Sequence, residues 1–306
     1  MDVGIFFSVL GFARDGCAVV IFRYGELKLA MTVLDAGFKR GIVMLRFLKC
    51  FIFLIAAFTS FVWVPRSLAA GQGKSLTVAA AADMTFALKE IAAGFEHETG
   101  VKVVVSYGST GLLAGQIRNG APFDVFLAAD ASVVRALASD GFIIPGSVMP
   151  YATGVIVLAA HSGAKKAING LKDLLSPEIR WVALANPDHA PYGRAGKEAL
   201  VSAGVWEAVK DKVVYGENVS QALKFVQTGD ADAGIIAFSV VQSSALSVIG
   251  IEPGLYRPIE QAAGILTTSK EEAAAREFLK YLAGDESAGI LKKYGFGKGA
   301  VPGPGR

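Results

Sequence analysis

Four short stretches of the 306-residue chain set small or hydroxyl-bearing residues where an apolar run gives way to helical spacing. They are Ala81-Ala82-Asp83, Gly108-Ser109-Thr110-Gly111, Ala190-Pro191-Tyr192-Gly193 and Glu217-Asn218-Val219-Ser220. The first turn of a helix carries backbone N–H groups with no partner inside the helix, and the aligned peptide dipoles make that end attractive to negative charge. The hydroxyls of Ser109 and Thr110 add side-chain donors to the same kind of place. Neutral donors drawn from several helices would make a site for a small anion that selects by cavity size and donor geometry. Such a cage meets its ordering cost at folding, before the ligand arrives. Any one stretch alone reads as an ordinary helix cap, and it is their number that points to a ligand.

Other chemistries find little support. The three histidines, His97, His161 and His189, show no HxH or HExxH spacing, so the sequence offers no metal-ligand cluster. Ser109 has no histidine and aspartate partners evident in sequence, and GSTG is not a GxSxG nucleophile elbow, so no enzyme is expected. His189 reads as a solvated loop residue. Phe86, Phe95, Phe123, Phe126, Phe225 and Phe278 fall at apolar positions and read as core, and Trp181 and Trp206 have no basic cluster around them. A nucleic-acid platform is therefore not expected.

The elements that must hold the four stretches follow a regular rhythm. An apolar strand over 76–80 leads into a helix whose Leu88, Ile91, Ala92 and Phe95 share one face, with Asp83 as its N-cap and Gly100 as its stop. A strand over 101–105 precedes the Ser109-Thr110 turn and a helix bearing Leu112, Leu113 and Ile117, and a further strand covers 124–128. A helix over 130–139 and an almost wholly apolar strand over 151–159, read as central, come next. Strands at 181–185, 213–214 and 233–238 alternate with helices at 192–203 and from the Asn218 cap to Gly229. The pattern predicts βαβ units with parallel sheets covered on both faces. After residue 249 the order changes to an extended stretch over 261–267 and two closing helices, through Leu282 and Tyr294, and the residues from 297 on read as a disordered tail.

Residues 1–70 stand apart. The segment 44–70 has Arg46 and Lys49, an apolar run over 51–64, Pro65 as a breaker and the small residues Ala69 and Ala70, the three-part layout of a secretory signal peptide. Its fourteen apolar residues are short for a membrane span, although an uncleaved anchor is the alternative. The 43 residues before Met44 show little packing logic, and Met31 and Met44 are both plausible starts. Hydrophobic residues make up 53% of the chain, with mean hydropathy +0.46, a high value to which this segment contributes strongly. Without it, 22 Lys and Arg face 23 Asp and Glu, and the net charge falls from +3 to −1, so the basic balance gives no argument for nucleic acid. Cys17 and Cys50 both lie in the segment, so residues 71–306 have neither disulfides nor thiol chemistry and must rest on their core.

Residues 76–297 resemble the periplasmic molybdate-binding proteins of ABC uptake transporters. The resemblance is carried by TVAAAADMTFAL, YGSTGLLAGQIRNGAPFDVFLAAD, FIIPGSVMPYATGVIVLAA, NPDHAPYGRAGKEAL, YGENVSQAL and LKKYGFG. It implies an α/β protein of the type II periplasmic binding protein fold, two α/β lobes joined by a two-strand hinge. Lobe one would be 71–153 with 255–298, lobe two 154–254, and 299–306 a tail, with the crossings near residues 151–153 and 255–258. It further implies a monomeric, exported, periplasmic protein that captures molybdate or tungstate, uses no cofactor and delivers its ligand to a membrane permease. A binder of another oxyanion or small anionic solute, or a membrane-tethered anion sensor, is the alternative.

The resemblance also implies ligand contacts at Asp83, at the hydroxyls of Ser109 and Thr110, and at the backbone N–H groups of Tyr192 and Val219. Where many relatives add a tyrosine hydroxyl from lobe two, this chain has Ala237 and Phe238, and Tyr192 is the residue expected to compensate. Asp83 departs from the serine or asparagine usual at its place. An ionised carboxylate would repel a dianion. Its side chain could turn back to cap its own helix, leaving only its N–H to the ligand, which is the milder assumption. Alternatively it is protonated when ligand binds, or the preferred ligand is a different one.

Overall fold

The computed structural model describes residues 6–12, 18–24, 27–33, 75–161, 167–242 and 245–298. The chain divides into two units, Met1–Ala70 and Gly71–Arg306. In the first, β1 (Phe6–Phe12), β2 (Ala18–Tyr24) and β3 (Leu27–Val33) form an antiparallel meander. The reading of these residues as lacking packing logic missed their strand-forming runs, such as AVVIFRY, rich in β-branched and aromatic residues. The signal-like segment 44–70 and the tail 299–306 lie outside the described residues.

The second unit continues with β4 (Ser75–Ala81), β5 (Lys102–Gly108), β6 (Val125–Ala128), β7 (Met149–Gly154), β8 (Ile156–His161), β9 (Val182–Ala185) and β10 (Val213–Gly216). It ends with β11 (Ala233–Ala237), β12 (Leu246–Gly250), β13 (Ile259–Ile265) and β14 (Gly297–Lys298). These strands make two sheets, ordered β14-β7-β13-β6-β4-β5 and β10-β9-β11-β8-β12. The sheets are mixed, which corrects the expectation of parallel ones: β4 runs parallel to β5 and β6, whereas β13 runs antiparallel to β6 and β7. In the second sheet β9 is parallel to β10 and β11, and β8 is antiparallel to β11 and β12. The returning strands β8 and β13 lie against the direction of their neighbours, which a rhythm of alternating strands and helices does not reveal.

The helices are α1 (Thr85–Thr99), α2 (Thr110–Arg118), α3 (Ala131–Ser139), α4 (Pro191–Ser202), α5 (Trp206–Val209), α6 (Val219–Thr228), α7 (Glu272–Leu282) and α8 (Asp285–Lys293). Successive strand residues face opposite ways, and the first sheet is covered on both sides accordingly. Leu76, Val78, Ala80, Val125 and Leu127 pack with Leu88 and Ile91 of α1, Phe278 of α7 and Leu291 of α8. Ala79, Phe126 and Ala128 pack with Leu113 and Ile117 of α2 and Val134 and Leu137 of α3. The second sheet shares one core with Ala195 and Ala199 of α4 and Ala222 and Val226 of α6.

The apolar run over 151–159 is two strands, not one central strand. Gly154 of β7 pairs with Ile259 in the first sheet, and two residues later Ile156 of β8 pairs with Ala237 in the second. Val155 alone makes the crossing, and nothing in an unbroken run of apolar residues marks where the pairing partner changes. The return crossing runs from β12 to β13 through the tight turn Pro253–Leu255.

Candidate ligand-binding site

Each of the four stretches stands where a strand of one sheet hands over to a helix. Together they line one small cavity between the two sheets, formed by Ala81, Ala82, Asp83, Gly108, Ser109, Thr110, Ala129, Ala190, Pro191, Tyr192, Asn218 and Val219. All five residues singled out by sequence, Asp83, Ser109, Thr110, Tyr192 and Val219, are in the lining and buried.

The helix starts leave donors free in a specific way. In α6 the Asn218 side chain accepts from the amides of Ser220 at 3.0 Å and Gln221 at 3.1 Å, so the cap leaves the Val219 N–H, the first of the helix, uncommitted by it. Helix α4 begins with Pro191 at its first position and has no side-chain cap. Proline has no N–H, so the amide of Tyr192 is the first that helix offers. Gly193 follows because a Cβ there would collide with the carbonyl of Ala185 at the end of β9, so its absence lets α4 sit tight on the strand. Ser109, extended, precedes α2 without capping it. Thr110 Oγ1 accepts from the Ala129 amide at 3.0 Å, which turns the hydroxyl's own hydrogen toward other acceptors.

Asp83 is not the N-cap of α1. It lies inside a single 3-10 turn, Ala82–Met84, for which Ala81 is the N-cap, and it makes no capping bond. Its carboxylate instead enters a buried network that spans both lobes. Oδ2 accepts from the Tyr192 hydroxyl at 2.9 Å and from Gln261 Nε2 at 2.5 Å. Gln261 Nε2 also donates to Tyr192 Oη at 2.9 Å, and Gln261 Oε1 accepts from the Tyr151 hydroxyl at 2.7 Å. The Tyr192 hydroxyl is thus committed to Asp83, so it does not stand in as a ligand donor as expected. Burial pushes the Asp83 carboxyl up to about 6, with hydrogen bonds from Gln261 and Tyr192 and the nearby amides of Asp83 and Met84 pulling the other way. Burial, then the Asp83 charge, holds both the Tyr151 and Tyr192 hydroxyls well above the usual tyrosine range, so they remain donors.

His189 is not a solvated loop residue. Half-buried, it reaches across the cleft, its Nδ1 2.8 Å from Ser109 Oγ, and its carbonyl accepts from the Gly111 amide at 2.9 Å. Ser239 donates to the Asp83 carbonyl at 2.8 Å and Ser220 to that of Ala82 at 3.3 Å, while Arg194 pairs with Asp130. Each of these bonds joins one lobe to the other, so the structure is the closed form of a two-lobed molecule. Sequence reasoning missed Gln261, Tyr151 and Ser239. The visible signal was a glutamine within the apolar run of β13, where a polar group needs a buried partner. Among the described residues no group of three His, Cys, Asp or Glu side chains is placed to hold a metal ion.

Residues 76–297 match the family model for bacterial extracellular solute-binding proteins, and the chain belongs to that family, built on the type II periplasmic binding protein fold. It is 39% identical over 232 residues to the molybdate-binding protein ModA of Azotobacter vinelandii, covering 74% of this chain and 92% of that relative. To ModA of Rhodobacter capsulatus it is 38% identical over 231 residues, covering 75% and 90%. The solved structure of the A. vinelandii periplasmic molybdate-binding protein superposes with a TM-score of 0.69 at 33% identity, over 74% of this chain and all of that one. The sulfate-binding protein SubI of Mycobacterium tuberculosis, at 18% identity and a TM-score of 0.64, shares the fold.

Proposed function

We propose that the protein captures a tetrahedral oxyanion, molybdate or tungstate, outside the cytoplasm and delivers it to an ABC permease. The observation that carries the reading is the convergence of four helix starts, with the Ser109 and Thr110 hydroxyls, on one small cavity whose lining contains no lysine, arginine or histidine. The likeness to ModA proteins supports the same ligand class. Open protein takes the anion on lobe one through Ser109, Thr110 and the Asp83 amide. Lobe two then closes, bringing the amides of Tyr192 and Val219, and the contacts made to both lobes shift the population to the closed form that docks on the permease. Neutral donors leave no salt bridge to break at handover. The crossing at Val155 and the segment before β13 serve as the hinge.

With fixed donors and no cationic side chain, the cavity discriminates by the size of the anion. Calorimetry at pH 7 is expected to show molybdate and tungstate binding far more tightly than sulfate and phosphate. Sulfate binding as tight or tighter would contradict the assignment.

A further inference from the structure

The lining holds one group that does not suit an anion. Asp83 Oδ2 is engaged by Tyr192 and Gln261, but Oδ1 is buried and has no well-aligned hydrogen-bond partner among the described residues, only the amides of Asp83 and Met84 lying near the carboxyl, in a side chain that lines the cavity. A buried acceptor left unpaired is costly, and an ionised carboxylate can only accept. The Ser109 and Thr110 hydroxyls and the first amides of α4 and α6 can donate, so an anion held by them shares a buried cavity with the Asp83 carboxylate. Two oxygens of like charge in contact are tolerated only with a hydrogen between them, as in carboxyl pairs that share a proton.

We propose that anion capture by this protein takes up one proton, held between Asp83 Oδ1 and an oxygen of the bound anion. The inference deepens the proposed function and rests on it. The proton comes from solvent as the dianion enters and returns to solvent on release, with no other bond made or broken. It turns the one mismatched acceptor into a further donor and brings anion and carboxyl together at one negative charge less. The groups facing Asp83 do not supply this hydrogen. Tyr192 of α4 and Tyr151 of β7 already donate, to Asp83 Oδ2 and to Gln261, and Gln261 of β13 and Ser239 of lobe two are not titratable. Arg194 is tied to Asp130 and is not in the lining. The His189 ring contacts Ser109, not Asp83. With the lobes closed, burial raises the carboxyl to about 6, and the negative charge of an anion beside it pushes in the same direction.

The sign follows from linkage: the bound state holds more protons than the free state, so binding strengthens as pH falls. Molybdate titrations of the wild type at pH 7.5, in buffers of contrasting ionisation enthalpy, are expected to show close to one proton taken up per anion. Affinity should fall roughly tenfold per pH unit between 7 and 8.5. Asp83→Asn, which keeps an acceptor for Tyr192 and Gln261 and presents an amide to the cavity, should bind molybdate with no proton uptake and a flat pH profile. His189→Gln should retain the uptake. Tight binding by the wild type with no proton uptake overturns the proposal, as does uptake that persists in Asp83→Asn or vanishes in His189→Gln. Failure of the wild type to bind any tetrahedral anion overturns the proposed function, and this inference with it.

Discussion

Val219→Pro is expected to weaken molybdate binding about ten- to a hundredfold without unfolding lobe two. Proline is favoured at the first position of a helix, where its fixed φ suits the turn and the missing N–H breaks no intrahelical bond. The residue before it must be extended, and Asn218 already is, with φ −146° and ψ 178°. The Asn218 cap goes to Ser220 and Gln221, so it survives the change. The substitution therefore deletes one backbone donor and exchanges one buried apolar side chain for another of similar size. A hydrogen bond to a charged group contributes about 1.5–3 kcal/mol, which sets the expected loss. Calorimetry with a thermal melt checks it: unchanged affinity in a folded variant would mean that the Val219 amide does not touch the ligand.

Gly111→Ala tests closure instead of contact. A Cβ at this position would lie 2.8 Å from the Cβ of His189 and 2.9 Å from its carbonyl oxygen, across the cleft. The obstacle on the far side is partly backbone, so the lobes must part locally, weakening the Gly111 to His189 bond and the Ser109 to His189 contact. Alanine is about 1 kcal/mol better than glycine inside a helix, so α2 itself loses nothing. Affinity is expected to fall at least tenfold, on the order of the one or two hydrogen bonds lost, while the melting temperature of the ligand-free protein is held or raised. Small-angle scattering should show a smaller ligand-induced compaction than in the wild type. An affinity equal to wild type would show that the cleft does not close on this contact.

The sites of these substitutions were legible in the sequence because strand-to-helix handovers have a local signature. Ser109 before a helical apolar stripe, Pro191 just inside one and Asn218 just before one are each written in neighbouring residues, and all three reach the cavity. Asp83 was misread for the complementary reason. An aspartate before a helix fits a cap, yet its side chain is claimed by Tyr192, 109 positions away, and Gln261, 178 away. No local propensity encodes that network. The same limit explains the split at Val155, where two sheets share one apolar run, and the mixed strand directions set by β8 and β13. His189 looked solvated because its partner Ser109 lies 80 residues earlier, on the opposite lobe.

The cavity makes a claim about where the ligand sits and what holds it. Anomalous diffraction from crystals grown with tungstate locates a tungsten atom without ambiguity. The account predicts a single strong peak between Ser109, Thr110, Tyr192 and Val219, with oxygens within hydrogen-bonding distance of those hydroxyls and amides. A peak elsewhere, or an anion gripped chiefly by lysine or arginine, would contradict it.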